Sequence, residues 1–162
     1  MNTCRNHLEK GLTMVEVVIA SAIILVAVVA LIGVNTLYLK TALSNTNSVK
    51  SAYLMEESVE VVRFWRDASW SSNISPLSNG VSYGLVLNGS SWQASTTATS
   101  LEGFQRTVTL SPVYRDSAGD IVTSSGTLDT NTKLVTAQVS WPANGTTTTK
   151  TLQTYITNLW QN

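Results

Sequence analysis

The chain has 162 residues, enough for one domain of ordinary size, and its ten basic residues balance its ten acidic ones. Zero net charge argues against a broad electrostatic grip on nucleic acid, which usually leaves a basic face, so no nucleic-acid partner is expected. Charged residues make up only 12% of the sequence; runs such as Ser95 to Ser100 and Thr146 to Thr149 replace them, which suits a solvated extracellular surface better than a rapid intracellular enzyme.

Residues 1–11, MNTCRNHLEKG, form a polar leader carrying Arg5, His7, Glu9 and Lys10. The single cysteine, Cys4, lies ahead of the apolar run, whereas a lipoprotein signal carries its cysteine after it. Once the leader is removed, the mature chain has no thiol, no disulfide and no cysteine-based metal site. Residues 17–34, VVIASAIILVAVVALIGV, hold no charge. With Leu12 to Val15 in front, the apolar stretch reaches about 20 residues, enough to cross a bilayer core as a helix. The next charge is Lys40. Basic residues precede the span, so the N-terminus is expected to stay cytoplasmic and the rest to be translocated. Ala20-Ser21-Ala22 fits a signal-peptidase pattern locally, but few apolar residues precede it and the run continues well past it. The segment is therefore expected to be retained. On hydropathy alone, the plain reading is an uncleaved signal anchor.

Residues 35–68 contain no Pro and no Gly, so the helix is expected to continue. Ala52, Met55, Val59 and Val62 recur at three- and four-residue spacing and predict one buried face. Glu56, Glu57, Glu60 and Arg63 fall largely elsewhere; Glu60 and Arg63 are a favourable pair three apart. The Ser-Asn-Pro cluster at Ser71 to Pro76 is expected to end the helix. A helix from about residue 12 to 70 would be roughly 85 Å long, far more than one bilayer needs.

After Pro76 short alternating runs predict strands at Val81 to Leu87, Phe104 to Tyr114, Leu134 to Trp141 and Lys150 to Thr157. Val135, Ala137, Val139 and Trp141 alternate with Thr136, Gln138 and Ser140, giving one apolar and one wet face. Turn signals stand at Asn88-Gly89, Ser117 to Asp120 and Pro142 to Gly145. Pro112 predicts a bulge, an edge or a break in the second run. The expected fold is α+β: a long N-terminal helix, membrane-spanning in its first half, packed on a small antiparallel sheet. The divisions are a leader at 1–11, a transmembrane segment at 12–34, an amphipathic continuation at 35–70 and a β-rich region at 71–162.

Gly11 followed by LTMVE is the sharpest signal. Glu16 is a carboxylate at the head of an otherwise uncharged membrane helix, a costly placement that calls for a partner. It lies one helical turn from any new N-terminus made by cutting behind Gly11. A freed amine at Leu12 would be cationic and could pair with Glu16 of a neighbouring copy. The plainer reading is that Glu16 caps the helix start, where the helix dipole favours an anion.

Lys10-Gly11 before Leu12-Thr13-Met14-Val15-Glu16 and a long apolar run resembles the class III signal of bacterial type IV prepilins and type II secretion pseudopilins. Residues 52–70, AYLMEESVEVVRFWRDASW, and the closing stretch with Val139-Ser140-Trp141 and Leu152 to Trp160 resemble later parts of the same group. The resemblance implies a pilin-like fold. It also implies cleavage by a prepilin peptidase between Gly11 and Leu12, N-methylation of Leu12 and subunit assembly through Glu16. Other pilin or pseudopilin subunits, the pilus or secretion assembly platform and membrane lipid would be its partners. The implied location is the inner membrane as a single-pass protein, then a cell-surface filament. The family's usual first mature residue is Phe, which Leu12 replaces; Gly33 stands where many members carry a helix-bending Pro.

No catalytic set is recognised. The only His is His7, in the leader, and neither G-x-x-x-x-G-K-[ST] nor G-x-G-x-x-G occurs. No cofactor and no metal are expected: Asp116, Asp120 and Asp129 lack the spacing of an EF-hand loop and read as solvated turn residues. Trp65, Trp70, Trp92, Trp141 and Trp160 read as core or subunit-contact residues rather than a sugar- or base-stacking platform. Two classes remain: a structural subunit, major or minor, of a pilus or pseudopilus, and a signal-anchored extracellular binding domain that joins no filament.

Overall fold

The structure, a computed structural model, describes residues 13–123, 125–143 and 145–160. The leader, Gly11 and Leu12 lie outside the described residues. The chain divides into two compact units, residues 1–45 and 46–162.

A single helix, α1 (Met14–Ala68), runs through the described part of the first unit and into the second. Its only breaker is Gly33, and a Cβ added there would meet nothing within 4 Å. Every residue from Thr13 to Thr46 is exposed in the isolated chain. Three hydroxyls of this stretch turn back on the helix itself. The hydroxyls of Ser21, Thr36 and Thr41 donate to the carbonyls of Val18, Ile32 and Leu37 at 2.9, 2.9 and 3.0 Å. Such back-bonding hides hydroxyls from an apolar surrounding.

In the second unit α1 lies on the sheet through Ser51, Met55, Ser58, Val59, Val61, Val62 and Trp65. The steps 51, 55, 58, 62 and 65 alternate four and three residues, the seam of a helix packed along one line. That seam corrects the expected face at one position: Ala52 is exposed and Ser51 takes the buried place. Serine fits there because its hydroxyl is satisfied locally. Ser51 donates to the Ser48 carbonyl at 2.8 Å, and Ser58 to the Leu54 carbonyl at 2.6 Å. After Ala68, Ser69 is extended and its hydroxyl accepts the Ser72 N–H, starting a π-helical turn, Trp70–Ile74, that buries Trp70 and Ile74.

The strands are β1 (Ser82–Asn88), β2 (Ser91–Ser95), β3 (Thr99–Leu101), β4 (Phe104–Arg115), β5 (Ile121–Val122), β6 (Thr127–Ala143) and β7 (Thr146–Thr157). They form one antiparallel sheet in the order β2-β1-β4-β6-β7, with β3 and β5 also paired to β4. Phe104, Val108 and Leu110 of β4 and Val135, Ala137, Val139 and Trp141 of β6 face the helix and are buried. Phe104 and Trp141 meet with ring centroids 5.6 Å apart. The register between β4 and β6 shifts between Pro112 and Val113, where a ladder donor is missing. Gly84 is required by close approach: a Cβ there would lie 2.3 Å from the Thr97 carbonyl oxygen.

The fold is therefore α+β, a long N-terminal helix whose later part packs on an antiparallel sheet.

Candidate functional site

The first turn of α1 is built by its own sequence. Thr13 precedes the first helical residue, and Glu16 is the third. Thr13 donates its backbone N–H to Glu16 Oε2 at 2.8 Å and its hydroxyl to the same oxygen at 2.9 Å, while Glu16 N–H reaches Thr13 Oγ1 at 3.3 Å. This is a reciprocal capping box, which satisfies N–H groups that a helix start leaves without partners. Thr13-x-x-Glu16 is the sequence signal for it: Glu16 is legible as a cap from its place at the helix start, and Thr13 only from the three-residue spacing. A carboxylate has lone pairs for several donors, so the cap does not exhaust what Glu16 can accept.

Behind this head, Val17 to Val34 is apolar on every side and wholly exposed. A helix apolar all round belongs in a membrane or among other helices. Twelve Val, Ile and Leu residues lie in that stretch. Each favours insertion by roughly 0.3 to 0.6 kcal/mol, together more than the ~3 kcal/mol that one charge costs at mid-membrane. α1 is thus long and apolar enough near the N-terminus to cross a membrane.

In the second unit the charged groups act as fasteners. Arg106, on the core face of β4 and only 5% exposed, donates from Nη1 to the Glu57 carboxylate on α1 and lies 5.3 Å from the ring centroid of Trp92. Its Nε is buried without a hydrogen-bond partner. Trp65 Nε1 donates to the Trp92 carbonyl at 3.0 Å, and Lys50 Nζ to Glu102 at 2.7 Å. Lys50 holds the carboxyl of Glu102 below the usual carboxylate range. Glu102 and Gly103 carry φ of 49 and 84°, the positive values a tight two-residue hairpin demands.

The carboxylates of Asp116 and Asp129 are occupied separately. Asp116 Oδ1 accepts the N–H groups of Ala118 and Asp120, both at 2.9 Å, closing its own turn. Asp129 accepts Arg115 Nε at 2.6 Å, and Arg115 also reaches the Gly119 carbonyl at 2.7 Å. Among the described residues no three His, Cys, Asp or Glu side chains converge on a metal position. Of the tryptophans, Trp65, Trp70 and Trp141 are buried, Trp92 is half-buried and Trp160 is exposed.

Comparison with protein-family models, curated proteins and solved structures finds no match to this chain.

Proposed function

We propose that the chain is a structural subunit, a minor pilin or pseudopilin, of a type IV pilus or type II secretion-like filament. A prepilin peptidase cuts it behind Gly11, the new Leu12 amine is methylated, and the mature subunit waits in the inner membrane with its β-rich unit outside. It then enters the filament through residues 12–34. The observation that carries this reading is the exposed, all-round apolar stretch of α1 headed by a single carboxylate, Glu16. Such a stretch serves a lone membrane anchor and a bundle of identical helices equally well, whereas a carboxylate at its head gains most from a cationic neighbour. The pilin-like packing of a helix on an antiparallel sheet supports the same reading.

Intact-mass spectrometry of the membrane fraction tests processing: loss of eleven residues and gain of one methyl group is expected. A retained Met1 in cells with an active prepilin peptidase refutes it. Recovery of the mature chain in sheared surface filaments tests assembly.

The capping box favours a second reading, a signal-anchored extracellular binding domain, because Glu16 already has a partner in its own chain. Mature chain found only in membranes, with filaments present but lacking it, would support that reading.

A further inference from the structure

One groove of the second unit, about 410 Å³ in volume, lies along the flank of α1 that faces the β1–β2 turn. Glu57, Glu60, Val61 and Phe64 of α1 line it with Ser90 and Trp92. No cationic residue lines it. Phe64 is 59% exposed, on the side of α1 turned away from the core. Glu57 is paired with Arg106 and Glu60 with Arg63, yet their side chains remain 44% and 66% exposed; Arg106 also lies 5.3 Å from the Trp92 ring centroid, which leaves Phe64 as the open ring. The open ring of Phe64 and the two solvent-accessible carboxylates beside it offer an ammonium group on a flexible stem a cation–π face and a second ion pair.

The opposite edge of the sheet carries such a group. Lys150 is the only charged residue in the twelve residues of β7. It is exposed and makes no ion pair among the described residues. It pairs across the ladder with Val139, Val139 pairs with Arg106, and Arg106 holds Glu57. Directly paired residues share a face, so Lys150 projects from the helix side of the sheet at the same level as Glu57. The sheet order puts β7 and β2 at opposite edges. Two copies standing side by side in the same orientation therefore bring the β7 edge of one against the β2 edge of the next.

We infer that the groove receives Lys150 of a neighbouring copy, joining copies flank to flank. The contact is heterologous: each copy offers the ammonium on one flank and the receptor on the other. The row therefore stays open-ended instead of closing as a two-fold pair. The inference rests on the filament reading in the form that sets copies of this chain beside one another in a common orientation, and adds to it a contact between the β-rich units.

The test is made on the full chain in intact cells, with Cys4 changed to Ser. The variant Thr151→Cys/Ser90→Cys, which keeps Lys150, Glu57 and Glu60, is treated with a short bismaleimide, and each single cysteine serves as control. A ladder of dimers, trimers and higher species from the double variant alone is expected. No ladder, with the chain present in sheared filaments, overturns the inference and leaves the filament reading standing. No ladder, with the chain absent from filaments, overturns both. A product that stops at the dimer overturns the open-ended row. A second readout uses charge. Lys150→Glu and Glu60→Lys should each lower filament recovery by about two- to fivefold, the scale of one exposed ion pair. The double reversal should restore recovery; a double variant no better than the worse single counts against the contact, since a helix or sheet defect gains nothing from a distant reversal.

Discussion

Glu16 has an observed partner in its own Thr13 and, under the filament reading proposed above, a second in the Leu12 amine of another subunit; substitution separates the two. Loss of the cap alone costs about 1 kcal/mol, a tolerable sum in a helix of 55 residues. Thr13→Ala removes the threonine hydroxyl but keeps the charge, so it should leave cleavage, membrane insertion and filament incorporation nearly unchanged. Glu16→Ala should spare cleavage and insertion but impair incorporation, with Glu16→Gln intermediate at best. The measurement is mature chain in membranes against mature chain in sheared filaments. Equal incorporation of Thr13→Ala and Glu16→Ala would reduce Glu16 to a helix cap. A second residue-scale expectation concerns Asp129. The hydrogen bond from Arg115 holds its carboxyl below the ordinary aspartate value of 3.8, helped by Thr132 and Asn131 and opposed by partial burial. A depressed folded pKa stabilises the fold above the unfolded value, and this contribution fades as pH falls below about 3.8 toward the folded value. Asp129→Asn should therefore cost about 1 kcal/mol at neutral pH, the scale of a partly exposed pair. In urea titrations the gap between the two proteins should narrow as pH falls below about 3.8; a gap that does not narrow at all would mean that Asp129 contributes by packing alone.

Among the elements, the junction of α1 with the sheet depends most on Arg106. A buried guanidinium that loses its counter-ion leaves an uncompensated charge, whereas replacing it by an apolar side chain of similar length removes the charge and its orphaned Nε together. Glu57 is 44% exposed, so water offsets part of the loss; Glu57→Ala is expected to cost about 2 kcal/mol, below the 3 to 5 of a fully buried pair. Arg106→Met should cost less, because its chain still packs beside Trp92. Denaturant midpoints that rank the two variants the other way would show that the ion pair, not the packing, holds the junction. The elements also show what could be read beforehand. The runs 104–114 and 134–141 were legible because an apolar residue alternates with a polar one where the helix covers one face; 81–87 and 150–157 were legible from β-branched and aromatic residues between turn signals, although only Ile156 of the last is buried. Pro112 marked the register shift for the chemical reason that it lacks a donor. β2, with sequence SWQAS, and the three-residue β3 carry too little apolar pattern to register. The first turns of β6 and β7, TLDTNTK and TTTT, looked like loops because they are largely exposed, and their pairing is set by the neighbouring strand rather than by burial. Ser51 and Ser58 were passed over on the helix for a related reason. Their polarity hid a seam position that the hydroxyl's own hydrogen bond makes affordable.

For the whole molecule, the two units have opposite relations to water. The first is apolar and exposed from Thr13 to Asn45, apart from Glu16, Lys40 and scattered small polar residues. The second holds the whole buried cluster, from Met55 on α1 to Ile156 on β7. If this division is physical, removing the first unit takes away surface that needs lipid or neighbouring helices and none of the core. A chain comprising residues 46–162 should then be monomeric in buffer without detergent. Its circular dichroism should be dominated by β-structure, with a helical contribution from the 23 residues Thr46 to Ala68. Its remaining exposed apolar side chains on α1, Val49, Tyr53 and Phe64, are interspersed with Glu56, Glu57 and Glu60, so they do not merge into a patch large enough to drive aggregation. Unfolding by urea should be a single transition, since helix and sheet share one core and neither can lose the other without exposing it. Shortening further, to begin at residue 69, should abolish folding, because Met55, Val59, Val62 and Trp65 would leave the core-facing sides of β4 and β6 uncovered; large-to-small losses in such a core already cost about 2 to 5 kcal/mol apiece. A fragment beginning at 46 that only aggregates, or one beginning at 69 that still folds, would mean that the later part of α1 does not belong to the β-rich unit.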